Sequence, residues 1–163
     1  MRLIKGISSF VLTAVVLLFA LTAAISFFSA PDSTGFLGLK GYTVVSGSME
    51  PEFSTGDFVV VKTTPYEKIK KNDVISFTRG KDIVSHRVVE KTAQGLETKG
   101  DANNLVDQGV TTSKEYIGKL FFSIPYYGYI IAASQKPLFF AILVGLLGLY
   151  VIYAYLSGEK EER

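Results

Sequence analysis

The sequence has no cysteine and only one histidine in 163 residues. Without cysteine, disulfides and thiolate-bound metals are both excluded. With one histidine, a zinc site would need carboxylates alone to complete it, which is unusual, so metal-dependent hydrolysis is not expected and no cofactor is predicted. A surplus of one charge sign is also missing. Lys+Arg number 17 and Asp+Glu 15, a net charge of +2, and no dense basic patch appears, which argues against a nucleic-acid partner. What the chain does have is apolar residues, 48% of the total, with a mean hydropathy of +0.30. The excess sits at the two ends, and the middle reads as one ordinary globular domain.

Ile7 to Phe28 is a run of 22 residues without a charge, about the ~20 needed to cross a bilayer as a helix. Arg2 and Lys5 precede it, which places the N-terminus in the cytoplasm. A cleavable signal peptide is the competing reading. The run is longer than the usual apolar core of ~7–15 residues and no A-x-A-like site follows closely, so an uncleaved anchor is expected. Leu138 to Leu156 is a second uncharged run, entered through Lys136 and Pro137, with Tyr150, Tyr153 and Tyr155 in its far half. Two spans put both termini on one side of the membrane and the middle of the chain on the other.

That middle is β sequence. Tyr42–Ser46, Asp57–Thr63, Val74–Arg79, Ile83–Lys91 and Tyr116–Phe122 are rich in β-branched and aromatic residues, with Gly, Pro, Asn and Asp between them. Arg79-Gly80-Lys81-Asp82 predicts a hairpin turn. Ile124 to Ala133 is aromatic and apolar but too short to span, and is expected at the membrane surface. Phe53, Phe58 and the Ile124–Tyr129 stretch are the candidates for bilayer contact, with core packing an equal alternative for Phe58.

Three stretches could carry chemistry. Ser46-Gly47-Ser48-Met49-Glu50-Pro51 follows a predicted strand, and such a turn can present a hydroxyl beside backbone N–H groups aimed at an oxyanion. An ordinary loop would read the same way. His86 shares one strand face with Val84 and Val88. Flanking valines desolvate it and hold it neutral, as a general base must be, although a half-buried structural histidine fits too. The third stretch is Lys99-Gly100-Asp101-Ala102-Asn103-Asn104-Leu105-Val106-Asp107, a polar loop after a short strand. It offers two carboxylates, either of which could orient a histidine. A solvated Asx-rich turn is the plain alternative, and a calcium loop fails its spacing at Leu105.

As an ordered set, SGSMEP, SHRVV and TKGDANNLVDQ resemble the type I signal peptidases, in the branch of archaea, the endoplasmic reticulum and some sporulating bacteria. The resemblance implies a serine protease that removes signal peptides from exported preproteins. It puts Ser48 at the nucleophile position and His86 at the base, where the commoner bacterial enzymes carry lysine. Asp107 matches the triad carboxylate, Asp101 an acidic residue in a supporting role, and the Ser46 hydroxyl assists the oxyanion hole. Ala102 interrupts what is often a GDNN run, and Gln108 follows Asp107. The implied fold class is mainly β, a compact all-β catalytic domain between two transmembrane helices. The divisions are a cytoplasmic stub and anchor at 1–28, an extracytoplasmic catalytic domain at 29–136, and a second span with a short cytoplasmic tail at 137–163. The location is then the cell membrane, or the endoplasmic-reticulum membrane in a eukaryote. The expected partners are preproteins and the lipid bilayer, with accessory membrane subunits left open.

Two other readings compete. A non-catalytic membrane-anchored scaffold of a secretion or pilus complex explains the anchors and strands but makes the Ser48, His86 and Asp107 set a coincidence. A Ser–Lys peptidase would need Lys81, Lys91 or Lys99 desolvated, and all three lie in polar sequence. A soluble self-cleaving repressor of the same broad clan is set aside because no DNA-binding helical unit precedes the β domain.

Overall fold

The computed structural model describes residues 27–134 continuously, together with residues 13, 14, 16, 17, 21, 24, 25, 136, 145 and 148. The expected spans Ile7 to Phe28 and Leu138 to Leu156 therefore lie largely outside the described residues, among which no helix is long and apolar enough to cross a membrane.

The described residues form a six-stranded antiparallel sheet. Its strands are β1 (Leu39–Thr43), β2 (Phe58–Lys62), β3 (Val74–Arg79), β4 (Asp82–Lys91), β5 (Leu96–Lys99) and β6 (Tyr116–Ile124), in the order β1-β2-β6-β3-β4-β5. Residues 39–134 are therefore mainly β, with a short helix, α1 (Tyr127–Ser134), after the last strand. β3 has the bounds expected from sequence. The β3–β4 hairpin also closes where expected, with Arg79 paired to Asp82 across Gly80 and Lys81. Gly80 sits at φ 64, a value glycine adopts without the steric cost a side chain would bring.

β2 shows why the sheet is two-sided. Its first four residues are all buried, and alternate side chains enter different clusters. Val59 packs with Met49, Phe53 and Val74, while Phe58 and Val60 pack with Tyr127 of α1. A third cluster joins Ile69, Ile75, Phe77, Val88 and Leu96 on the β3–β4–β5 side. Each fully buried side chain of this size contributes about 1.5–3 kcal/mol, so β2 is held firmly between its neighbours.

Two expectations are corrected. Phe53, proposed for bilayer contact, is 4% exposed and belongs to the core, and Phe58, 1% exposed, takes the core place that was its alternative. Alternation alone does not say that helix α1 covers the second face of β2. The first strand runs over Leu39–Thr43 rather than Tyr42–Ser46. Val44 still exchanges hydrogen bonds with Gly56 and Asp57 at 2.9 Å each, but Val45 and Ser46 then leave the sheet for solvent. α1, from the segment expected at a membrane surface, also sends one side chain into the core. Its Tyr127 is buried edge-on against Phe58, with ring centroids 5.9 Å apart, while Tyr126, Tyr129 and Ile130 stay exposed.

Candidate active site

Ser48 lies in the loop between β1 and β2. Met49, 1% exposed, drives its side chain into the cluster of Phe53, Val59 and Val74, so the half-buried Ser48 beside it is held by a core contact. A turn follows, with the Glu50 N–H donating to the Gly47 carbonyl at 3.1 Å and the Glu52 N–H to the Met49 carbonyl at 2.8 Å. Ser46, more exposed, has its hydroxyl 3.4 Å from the Ser48 hydroxyl.

His86 follows the period-2 expectation. It is 7% exposed, on the same face of β4 as Val88, and its ring meets Phe77 edge-on. Its Nε2 is 3.2 Å from Ser48 Oγ, and its Nδ1 is 2.6 Å from Asp107 Oδ2. A carboxylate only accepts, so Nδ1 carries the hydrogen and Nε2 is left to accept from the Ser48 hydroxyl.

The two aspartates separate because of how the chain returns after β5. From Gly100 it loops out and comes back antiparallel to β5, with the Asp107 N–H donating to the Thr98 carbonyl at 2.9 Å. Farther on, Thr111 and Leu96 exchange backbone hydrogen bonds at 2.8 and 2.9 Å. Asp107 thus comes alongside His86, and Thr98 Oγ1 donates to the same Oδ2 at 2.7 Å. Asp101 stays at the start of the loop and meets Arg87 instead. Arg87 Nε donates to its Oδ1 at 2.9 Å and Nη2 to its Oδ2 at 2.6 Å, a two-pronged contact. Arg87 also donates to Glu52 Oε2 at 2.9 Å and to the Asn72 carbonyl at 3.0 Å. Hydrogen bonding to Asp101 is the main cause of an Arg87 pKa above its ordinary value, with Glu52 adding to it.

The loop carrying Asp101 also braces the peptide of Ser48. The Ala102 N–H donates to the Ser48 carbonyl at 2.9 Å. Gly100 approaches so closely that a Cβ there would lie 2.6 Å from that carbonyl oxygen. All five residues singled out from sequence therefore fall in one region, Ser46 through its contact with Ser48 and Asp101 through Arg87. Arg87, Glu52 and Thr98 were missed. Arg87 could have been found, since the alternation that turns His86 inward turns its neighbour to the opposite face. Thr98 and Glu52 depend on strand and loop pairings that no local pattern carries.

A cleft of about 310 Å³ adjoins Ser48 and His86, lined also by Tyr42, Val44, Phe53 and Val84. One wall is the segment leaving β1. The other is the first half of β4, which β5 joins only from Arg87 onward. The outer edge of Ile83–His86 is thus without a strand partner among the described residues. The Tyr42 hydroxyl donates to the Ser29 carbonyl at 2.9 Å, and burial pushes its pKa up to about 12, so the cleft wall carries a neutral phenol.

No family model matches the chain. It is 34% identical over 147 residues to the signal peptidase complex catalytic subunit sec11 of Neurospora crassa, spanning 74% of this chain and 85% of that protein. It is 35% identical over 159 residues to the signal peptidase complex catalytic subunit SEC11 of Leptosphaeria maculans, spanning 81% of this chain and 91% of that protein. The chain belongs to the type I signal peptidase family. It is a signal peptidase hydrolase, on the branch of the endoplasmic-reticulum catalytic subunits. A bacterial relative, signal peptidase I W of Bacillus subtilis, is 37% identical over 116 residues, covering 66% of this chain and 59% of that protein. In a signal peptidase, a serine, a histidine and a carboxylate in hydrogen-bonded series beside a strand-shaped cleft are groups suited to acyl transfer from a peptide.

Proposed function

We propose that this chain cleaves signal peptides from exported preproteins by a Ser48–His86–Asp107 mechanism. The observation that carries the reading is the series itself, Ser48 Oγ at 3.2 Å from His86 Nε2 and His86 Nδ1 at 2.6 Å from Asp107. Ser48 attacks the carbonyl at the end of the signal peptide. His86 takes the hydroxyl proton and passes it to the leaving amine, and Asp107 holds the tautomer and stabilises the imidazolium. The Ser48 N–H and the Ser46 hydroxyl receive the oxyanion, and Asp101 acts at one remove by fixing Arg87 and its loop. The substrate enters extended, adding as a strand between Val44–Ser46 and the open edge of Ile83–His86, with small residues at the cut fitting the cleft. The Ser–Lys alternative has less support, since the Ser48 hydroxyl has His86 and Ser46 beside it and Lys91 Nζ donates to the Glu67 carbonyl at 2.9 Å. Membership in a peptidase family removes the ground for a non-catalytic scaffold.

The proposal extends to location. Residues 1–28 and 137–163 anchor the protein in the cell membrane or the endoplasmic-reticulum membrane, and residues 29–136 face the extracytoplasmic side. The two charge-free runs support this, as do the exposed aromatics Phe121, Phe122, Tyr126 and Tyr129, suited to a lipid interface. The test is processing of a labelled preprotein by the purified full-length protein in liposomes, wild type against Ser48→Ala, with the cut mapped by N-terminal sequencing. Cleavage after a small residue, lost in Ser48→Ala, is the expected result. Cleavage that survives in Ser48→Ala would remove Ser48 as nucleophile.

A further inference from the structure

We infer that Thr98 is a positioning residue for the reaction, aiming the Asp107 carboxylate at His86. The inference rests on the reading of His86 and Asp107 given above. Asp107 comes from a long loop, and its side chain has no strand of its own to hold it. Two contacts to one residue of β5 do so instead. The Thr98 carbonyl accepts the Asp107 N–H at 2.9 Å, and Thr98 Oγ1 donates to Asp107 Oδ2 at 2.7 Å. The backbone contact fixes where the residue sits, and the hydroxyl fixes how its carboxylate is turned.

Thr98 is itself buried within a strand pair. It is 0% exposed and lies directly across from Val88, two residues along β4 from His86. The hydroxyl donor, the carboxylate and the imidazole are therefore referenced to one pair of strands. The oxygen that receives Thr98 is the one that receives His86 Nδ1. Without the hydroxyl, the one side-chain hydrogen bond left to Asp107 among the described residues is from His86, the group it is meant to orient. A carboxylate that spends time turned away stabilises the imidazolium less. The base then titrates at lower pH and transfers its proton less efficiently.

The experiment compares Thr98→Val, Thr98→Ser and Asp107→Asn in the full-length chain, by steady-state processing across pH. The chain has one histidine, so its ring resonances titrate without ambiguity of assignment. Thr98→Val should lower kcat about tenfold, the effect of one lost hydrogen bond to a charged group, with KM held within about twofold. The acid limb of kcat/KM and the histidine titration should both move to lower pH, and Thr98→Ser should restore both. Should Thr98→Val fail to fold, Thr98→Ala carries the same comparison. A folded variant with wild-type kcat and an unmoved titration overturns the inference. So does a shift to higher pH, which would mean the hydroxyl draws charge from the carboxylate rather than aiming it. Equal impairment of Thr98→Ser would assign the effect to packing and overturn it too. If Asp107→Asn keeps wild-type activity, the reading of the pair falls and this inference with it. If Asp107→Asn is inactive while Thr98→Val is normal, only the inference about Thr98 falls.

Discussion

Adding one methyl group at Gly100 tests whether the nucleophile is held from behind. A Cβ at Gly100 would lie 2.6 Å from the Ser48 carbonyl oxygen and 2.7 Å from Asn103 Nδ2, where ordinary contact begins at 3.4 Å. The Asn103 side chain can swing aside, but the Ser48 carbonyl is backbone and already accepts the Ala102 N–H. The two loops must therefore part by about 0.8 Å at that point, and Ser48 moves by several tenths of an ångström. Gly100 is not in the left-handed region of φ, so the effect of Gly100→Ala is one of contact and not of backbone strain. A misplacement of ~1 Å costs about 10²-fold in rate, so Gly100→Ala should lower kcat by between about 10-fold and 10²-fold. Overpacking of this kind costs about 1–3 kcal/mol of stability, small enough for the variant to fold. The assay is preprotein processing under saturating substrate, with thermal unfolding run in parallel. A folded Gly100→Ala that cleaves at the wild-type rate would refute the bracing of Ser48 by the Gly100–Ala102 segment.

Two further predictions concern acidic residues. Asp107→Asn should lower kcat by ~10³–10⁴ through loss of the correct tautomer, whereas Asp101→Asn should lower it less than about tenfold and mainly reduce the unfolding temperature, since its contact is with Arg87 and not with His86. Comparable kinetic losses in the two variants would contradict the division of roles. Asp73 opposes the desolvation that would raise its pKa with hydrogen bonds from Lys119 and the Lys70 N–H, so its folded value lies below the ordinary 3.8. A depressed folded pKa gives stability that is present above the unfolded value and is lost as pH falls through the folded one. Stability to thermal unfolding should fall below about pH 4, and Asp73→Asn should flatten part of that slope; an unchanged acid slope in the variant would count against the ion pair.

Much of the architecture was legible because it is periodic or local. β3 was bounded correctly, since VISFTR is β-branched and aromatic and ends at a Gly80 turn that only a few residues make well. The inward face of His86 followed from alternation with Val84 and Val88. The burial of Phe53 did not follow, because its cluster is completed by Val59 of β2 and Val74 of β3.

The sequence by itself determined which groups were available. One histidine, one SGS turn and two aspartates six residues apart are matters of composition and spacing, and they limit the chemistry before any folding is considered. The family resemblance matched Asp107 to the triad carboxylate, but the residues by themselves left both aspartates open, and the physical reason for the choice lies in the tertiary structure. Asp101 and Asp107 lie in the same polar loop and are chemically equivalent in one dimension. They differ because the chain turns back along β5 and forms hydrogen bonds to Thr98 and Leu96, which carries Asp107 to His86 and leaves Asp101 with Arg87. Pairing between segments far apart in sequence is set by backbone hydrogen bonding and core packing across the whole sheet, and no stretch of residues encodes it locally.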